Sequence, residues 1–251
     1  MTAKNLWFSN PQPNSQAHLR LFCFPYAGGG ASIFRLWAKE LPSEIEVIPV
    51  QLPGRERRMR EAPFSKIEPL LQSLMQVLPS YLDRPFAFFG YSMGALISFE
   101  LIRQLRRQGL PLPLHLLVSG RRAPQIPCSQ PFTHQLSDAA FIADLRYKGG
   151  TPEAVLQNPE LMELFMPIMR ADLGLNETYS YTTEPPLDFP ISVLGSSEDT
   201  EVNREQLDAW REQTTSSFSL QMFPGNHFFL INEGRSLLLQ AISDKLKDVR
   251  F

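Results

Sequence analysis

Five residues near the middle of the chain, Gly90-Tyr91-Ser92-Met93-Gly94, directly follow the apolar run Pro85-Phe86-Ala87-Phe88-Phe89 and directly precede a segment of helical period. That order is strand, sharp turn, helix. A serine at the apex of such a turn is lifted out of the sheet, and glycine two places to either side lets the backbone bend without a side-chain clash. Its hydroxyl is then offered as a nucleophile, which points to hydrolysis. A serine that only caps the helix is the competing reading, which accounts for Ser92 but explains both flanking glycines less well.

The rest of the chain repeats the strand-helix theme. Short apolar runs predict strands at Leu19 to Phe24, Glu46 to Val50, Pro85 to Phe89, Leu114 to Ser119, Ile191 to Gly195 and Ser219 to Phe223. Between them lie helical stretches. In Lys66 to Leu82, apolar residues recur at three and four places and form one buried stripe, and Ser92 to Gln108 and Ser236 to Val249 read similarly. The pattern predicts an α/β fold with a largely parallel sheet wrapped by helices. The alternation fails between residues 128 and 183, where Ser137-Asp138-Ala139-Ala140 and Asn158-Pro159-Glu160-Leu161 look like two helix starts with no strand. Residues 128–183 are therefore expected to be a small helical insertion within one domain spanning 1–251.

Bulk properties narrow the partners. A net charge of −2 over 251 residues gives no global pull towards nucleic acid or an acidic membrane. Met1 to Asn5 lead into polar, proline-rich sequence, and no segment approaches the roughly 20 apolar residues of a membrane span. The two cysteines, Cys23 and Cys128, suit a reduced cytoplasmic protein better than a disulfide framework and offer no metal cluster.

A serine hydroxyl needs a base within hydrogen-bond reach, itself oriented by a carboxylate. Of four histidines, His18 precedes the first strand, His115 lies inside an apolar strand and His134 falls in the insertion; each reads better as structural or solvated. His227 follows the last strand in Phe223-Pro224-Gly225-Asn226-His227-Phe228-Phe229, where a loop brings it to the carboxyl edge of the sheet. For the carboxylate, Asp199 and its neighbour Glu198 both follow a strand, and pattern alone leaves them level. Oxyanion donors are expected at the Met93 amide and in the loop Pro25-Tyr26-Ala27-Gly28-Gly29-Gly30. No Gly-Lys-Ser/Thr follows those glycines, which argues against a nucleotide loop.

With these residues assembled, the chain resembles the type II thioesterases, the free-standing editing enzymes of non-ribosomal peptide and polyketide synthases. The resemblance rests on Phe24-Pro25-Tyr26-Ala27-Gly28-Gly29, Leu52-Pro53-Gly54-Arg55-Glu56, Gly90-Tyr91-Ser92-Met93-Gly94-Ala95, Ser119-Gly120-Arg121-Arg122-Ala123-Pro124, Arg170-Ala171-Asp172 and Pro224-Gly225-Asn226-His227-Phe228. It implies an α/β-hydrolase fold with a helical lid over residues 128–183. It also implies Ser92 as nucleophile, Asp199 rather than Glu198 as orienting acid, His227 as base, and the amides of Ala27 and Met93 as oxyanion hole. Asn226 stands where the family usually has a second glycine, a change expected to be tolerated because Asn accepts unusual backbone angles.

The implied substrate is an acyl group on the phosphopantetheine arm of a carrier protein, with no metal or resident cofactor, no nucleic acid or membrane partner, and a monomeric cytoplasmic enzyme. Tyr26 is placed beside the substrate. Arg57 and Arg58, in Arg55-Glu56-Arg57-Arg58-Met59-Arg60, are suited to the arm's phosphate or an acidic carrier, with a solvated loop as the competing reading. Phe141 and Phe165, with Leu161, Leu164 and Met169, are candidates to line an acyl pocket, against ordinary packing of the lid. A medium-chain thioesterase of a fatty acid synthase, a carboxylesterase or lipase, and a catalytically silent docking protein are the alternatives.

Overall fold

The computed structural model describes residues 6–8, 14, 16–128, 131–231 and 234–247. Met1 to Asn5, read above for a targeting signal, and Val249, placed above in the last helix, lie outside the described residues. Strands β1 (Leu19–Phe24), β2 (Ile45–Pro49), β3 (Phe86–Tyr91), β4 (Leu116–Ser119), β5 (Ile191–Ser196) and β6 (Phe218–Phe223) form one sheet. Their order is β2-β1-β3-β4-β5-β6, and every neighbouring pair is parallel. The helices are α1 (Trp37–Glu40), α2 (Ile67–Met75), α3 (Met93–Arg107), α4 (Asp138–Lys148), α5 (Glu153–Leu156), α6 (Pro159–Glu177), α7 (Arg204–Asp208) and α8 (Arg235–Lys247).

The strands read as continuous apolar runs because both faces of the sheet are buried. Phe22 and Phe24 of β1, with Phe86 and Phe88 of β3, pack on α2 and α3. Leu21, Cys23, Phe89 and Tyr91 face the other way, onto Trp37 of α1 and Leu238 and Ile242 of α8. β3 runs two residues beyond the predicted strand, because Gly90 still pairs with Phe24 and Tyr91 with Ser119. The predicted helix over Lys66 to Leu82 is shorter than its periodicity implied. α2 stops at Met75 and a 3-10 turn takes Leu78–Tyr81, with Pro79, which has no N–H to give, inside it.

Between β4 and β5 lie α4, α5 and α6. Ser137 caps α4, its hydroxyl accepting the Ala140 N–H at 3.4 Å. Asn158 caps α6, accepting from Glu160 at 3.0 Å and Leu161 at 3.2 Å, with Pro159 at the first helical position. These helices share a core of Phe141, Leu145, Leu156, Met162, Met169 and Leu173. Arg170 of α6 stitches the group together by donating to His134 O and to Asp138 Oδ1, each at 2.7 Å.

Candidate active site

Ser92 occupies the turn between β3 and α3 with φ 51° and ψ −111°, and its N–H donates to Ser119 O at 2.8 Å. The flanking glycines are required by contact distance. A Cβ on Gly90 would stand 2.4 Å from Ala95 Cα, and one on Gly94 would stand 2.1 Å from Phe24 O. Met93 opens α3, so its amide is one of the N–H groups a helix leaves unbonded at its start.

His227 lies in the loop after β6 and Asp199 in the loop after β5. His227 Nδ1–H donates to Asp199 Oδ2 at 2.8 Å, which leaves the Nε2 lone pair as the basic position. Asp199 Oδ1 accepts the N–H groups of Glu201 at 2.8 Å and Val202 at 3.1 Å, so the carboxylate is oriented by its own loop. Glu198 is exposed and its side chain plays no part in holding His227. Burial pulls the His227 pKa down, but the hydrogen bond and charge of Asp199, helped by Glu201, carry it above the ordinary imidazole value. The His227 carbonyl accepts from the buried Tyr91 hydroxyl, and Ser196 Oγ donates to Asn226 O at 3.0 Å. Asn226 Oδ1 accepts the Phe228 N–H at 2.9 Å. The expected reason for tolerating Asn226 is therefore replaced. Gly225, at φ 113°, takes the unusual angle, and Asn226 serves as a side-chain turn former.

The glycine loop after β1 is a β-turn. Gly29 N–H donates to Tyr26 O at 2.9 Å, and Gly28 has φ 80°, the type II form. Its partners come from far along the chain. Gly28 N–H donates to Asp172 Oδ2 at 2.7 Å, and Arg55 grips both oxygens of Asp172 at 2.8 Å while also donating to Gly29 O at 3.3 Å. Gln51 Oε1 accepts from Ala31 and Glu56 Oε1 from Ser32.

Ser92, His227, Tyr26, Ala27 and Gly28 line one cavity of about 210 Å³ together with Leu145, Val155, Phe165, Met169 and Leu173. Ser92 and His227 make no direct hydrogen bond, an arrangement common before substrate draws such groups together. Phe165 lines the cavity, but Phe141 does not: its ring is wholly buried in the core between the helices, under the Arg170 guanidinium at 4.3 Å. Leu161 and Leu164 point to solvent. The two arginines also part company. Arg57 is exposed, whereas Arg58 is buried over the Trp7 ring at 3.9 Å and spends its N–H groups on Glu61 and on Gln51 O. Arg58 is therefore a structural group, corrected from the sequence expectation because its fork is already satisfied. His115 bonds Ser192 Oγ at 2.9 Å and is pulled down to about 4 by burial, with Lys245 adding to it; His134 bonds Glu177.

Sequence reasoning missed Asn176 and Glu201, which line the cavity, and the Arg55–Asp172 link. Both members of the link lie inside blocks that carry the family resemblance, but nothing local says that they meet. Among the described residues no group of three or more His, Cys, Asp or Glu is arranged to hold a metal, and no helix is long and apolar enough to cross a membrane.

A family model described as a thioesterase domain matches residues 19–246. The gramicidin S biosynthesis protein GrsT of Aneurinibacillus migulanus is 49% identical over 226 residues, covering 90% of this chain and 88% of the relative. The medium-chain S-acyl fatty acid synthase thioesterase of Homo sapiens is 31% identical, covering 94% and 90%. Among solved structures, the type II thioesterase BorB from the borrelidin biosynthetic cluster superposes with a TM-score of 0.86 at 34% identity, covering 98% of each chain.

Proposed function

We propose, since this chain belongs to the thioesterase family, that it strips short acyl groups from the phosphopantetheine arms of carrier proteins and so returns a peptide or polyketide synthase to use. Family membership makes it a thioester hydrolase on an α/β-hydrolase fold. The observation that carries the residue assignment is the 2.8 Å bond from His227 Nδ1 to Asp199 Oδ2, with Ser92 facing the same cavity.

In this reading His227 Nε2 takes the Ser92 proton as Oγ attacks the thioester carbonyl. The amides of Ala27 and Met93 receive the oxyanion, and the arm's thiol leaves with the proton returned by His227. Water, deprotonated by the same imidazole, then attacks the acyl-serine and releases the acid. The phosphopantetheine belongs to the substrate. A cavity of about 210 Å³ walled by the helices between β4 and β5 supports a short acyl chain under a lid. Relatives from gramicidin S and borrelidin biosynthesis support an editing role. Exposed Arg57 supports contact with the arm's phosphate or an acidic carrier.

The test is hydrolysis of carrier proteins loaded with acyl groups from acetyl to decanoyl. Acetyl to butyryl arms are expected to turn over fastest, and Ser92→Ala should lower the rate at least about 10³-fold. Faster turnover of octanoyl or decanoyl carriers would overturn the substrate reading in favour of a medium-chain enzyme, and full activity in Ser92→Ala would remove the nucleophile.

A further inference from the structure

The chemistry above makes no use of the blocks Leu52 to Glu56 and Arg170 to Asp172, yet the structure joins them beside the oxyanion turn. Asp172 of α6 and Arg55 are both buried, with side-chain exposures of 3% and 6%. The Asp172 carboxylate accepts two guanidinium N–H groups at 2.8 Å and the Gly28 N–H at 2.7 Å. That N–H belongs to the central peptide of the Tyr26–Gly29 turn. A flip of this one peptide converts type II into type I, exchanging the sides on which its N–H and C=O lie. The next peptide towards the N-terminus carries the Ala27 N–H. Its carbonyl, Tyr26 O, is taken by Gly29 N–H at 2.9 Å, so in the trans peptide the Ala27 N–H is directed to the opposite side. A carboxylate is a stronger acceptor than a neutral group, and the bidentate Arg55 fixes its plane. α6 also rests directly on the turn: a Cβ on Gly28 would stand 2.4 Å from Met169 Sδ.

We propose, resting on the assignment of Ala27 as an oxyanion donor, that Asp172 clamped by Arg55 is a positioning residue that locks the oxyanion turn in its type II form. It thereby registers the hole to α6, whose Phe165, Met169 and Leu173 line the acyl cavity. An ion pair that only holds α6 to the core would contribute to folding and leave transition-state binding alone.

The double variant Arg55→Met with Asp172→Leu separates the two roles, because buried ion pairs replaced together by apolar groups of similar volume often keep their stability. Melting temperature, kcat, KM, and affinities for an acyl boronate that forms a tetrahedral adduct on Ser92 and for an amide analogue of the thioester are measured. The expected result is near wild-type melting and KM, with kcat and boronate affinity both lower by about 10- to 100-fold and amide affinity unchanged. Arg55→Lys, which keeps the charge without the fork, should fall between. If the double variant does not fold, Asp172→Asn is read by the same boronate-to-amide ratio. Unchanged kcat and boronate affinity, or boronate and amide affinities that fall together, overturn the proposal while leaving the nucleophile assignment standing. A wild-type protein that binds the boronate no better than the amide would instead sink the oxyanion reading beneath it.

Discussion

Ser92 is held at φ 51°, where a residue with a Cβ is strained. The close approaches at Gly90 and Gly94 hold it there, since α3 passes against β3 and the end of β1 at distances that exclude any side chain. Gly94→Ala should therefore lower stability by about 3 kcal/mol or more, read as a drop in melting temperature or loss of folded protein. Asp199 acts on charge instead of backbone shape, raising the basicity of a buried imidazole that burial alone would depress. In the proposed mechanism His227 must be neutral to accept the Ser92 proton, so kcat/KM should fall on the acid side through a pKa raised above the ordinary imidazole value. Asp199→Asn removes both the hydrogen bond from the correct tautomer and the charge, so kcat should drop on the order of 10³–10⁴-fold and the acid limb should move to lower pH. Glu198→Gln should leave the pH profile near wild type; a profile that moves with Glu198 instead would reverse the assignment.

Among the elements, α6 has the widest reach. Its first turn is capped by Asn158, Arg170 on one side ties it to the segment around His134 and Asp138, and Asp172 on another meets the Tyr26–Gly29 turn. Phe165 and Met169 lie between these ends, line the cavity and pack against Gly28. The sequence placed the starts of α4 and α6 correctly because caps are local signals. Which face of each helix turns inward was not legible, since Phe141 and Phe165 are both apolar and only the packing of α4 against α6 buries one and leaves the other at the cavity. Phe165→Ala enlarges the cavity, and octanoyl turnover relative to acetyl should rise about tenfold on the acyl-carrier panel. An unchanged chain-length profile would show that Phe165 does not limit the acyl group.

At the scale of the molecule, the strand order brings the site together. Ser92, Asp199 and His227, the proposed nucleophile, acid and base, follow β3, β5 and β6, and parallel pairing puts all three loops at the carboxyl ends of the strands. Away from the site, Glu184 ahead of β5 is gripped by Arg103, Arg106 and Arg107 of α3, which lower its pKa to about 2 against the burial that would raise it. A carboxylate depressed in the folded state stabilises above its unfolded value of 4.5, and that contribution is lost as pH falls towards about 2. Glu184→Gln should therefore melt lower than the wild type at pH 7, and the difference should shrink through this window; a gap that persists at pH 2 would mean that Glu184 acts through packing.

By itself the sequence determined the elbow, the succession of strands and helices, the helix caps and the chain order of serine, acidic loop and His227, because each is written in the spacing of neighbouring residues and in backbone preferences. Pattern alone left Glu198 and Asp199 level, and treated Arg57 and Arg58 as equivalent. Tertiary structure separates both pairs: a carboxylate turned towards His227 and oriented by its own loop, and a guanidinium already saturated by Glu61 and Gln51. It alone decided that Arg55 and Asp172, 117 residues apart, share one buried contact with Gly28. The physical reason is that local spacing sets the conformation of a segment, whereas the partner of a charged side chain depends on which distant element packs against it.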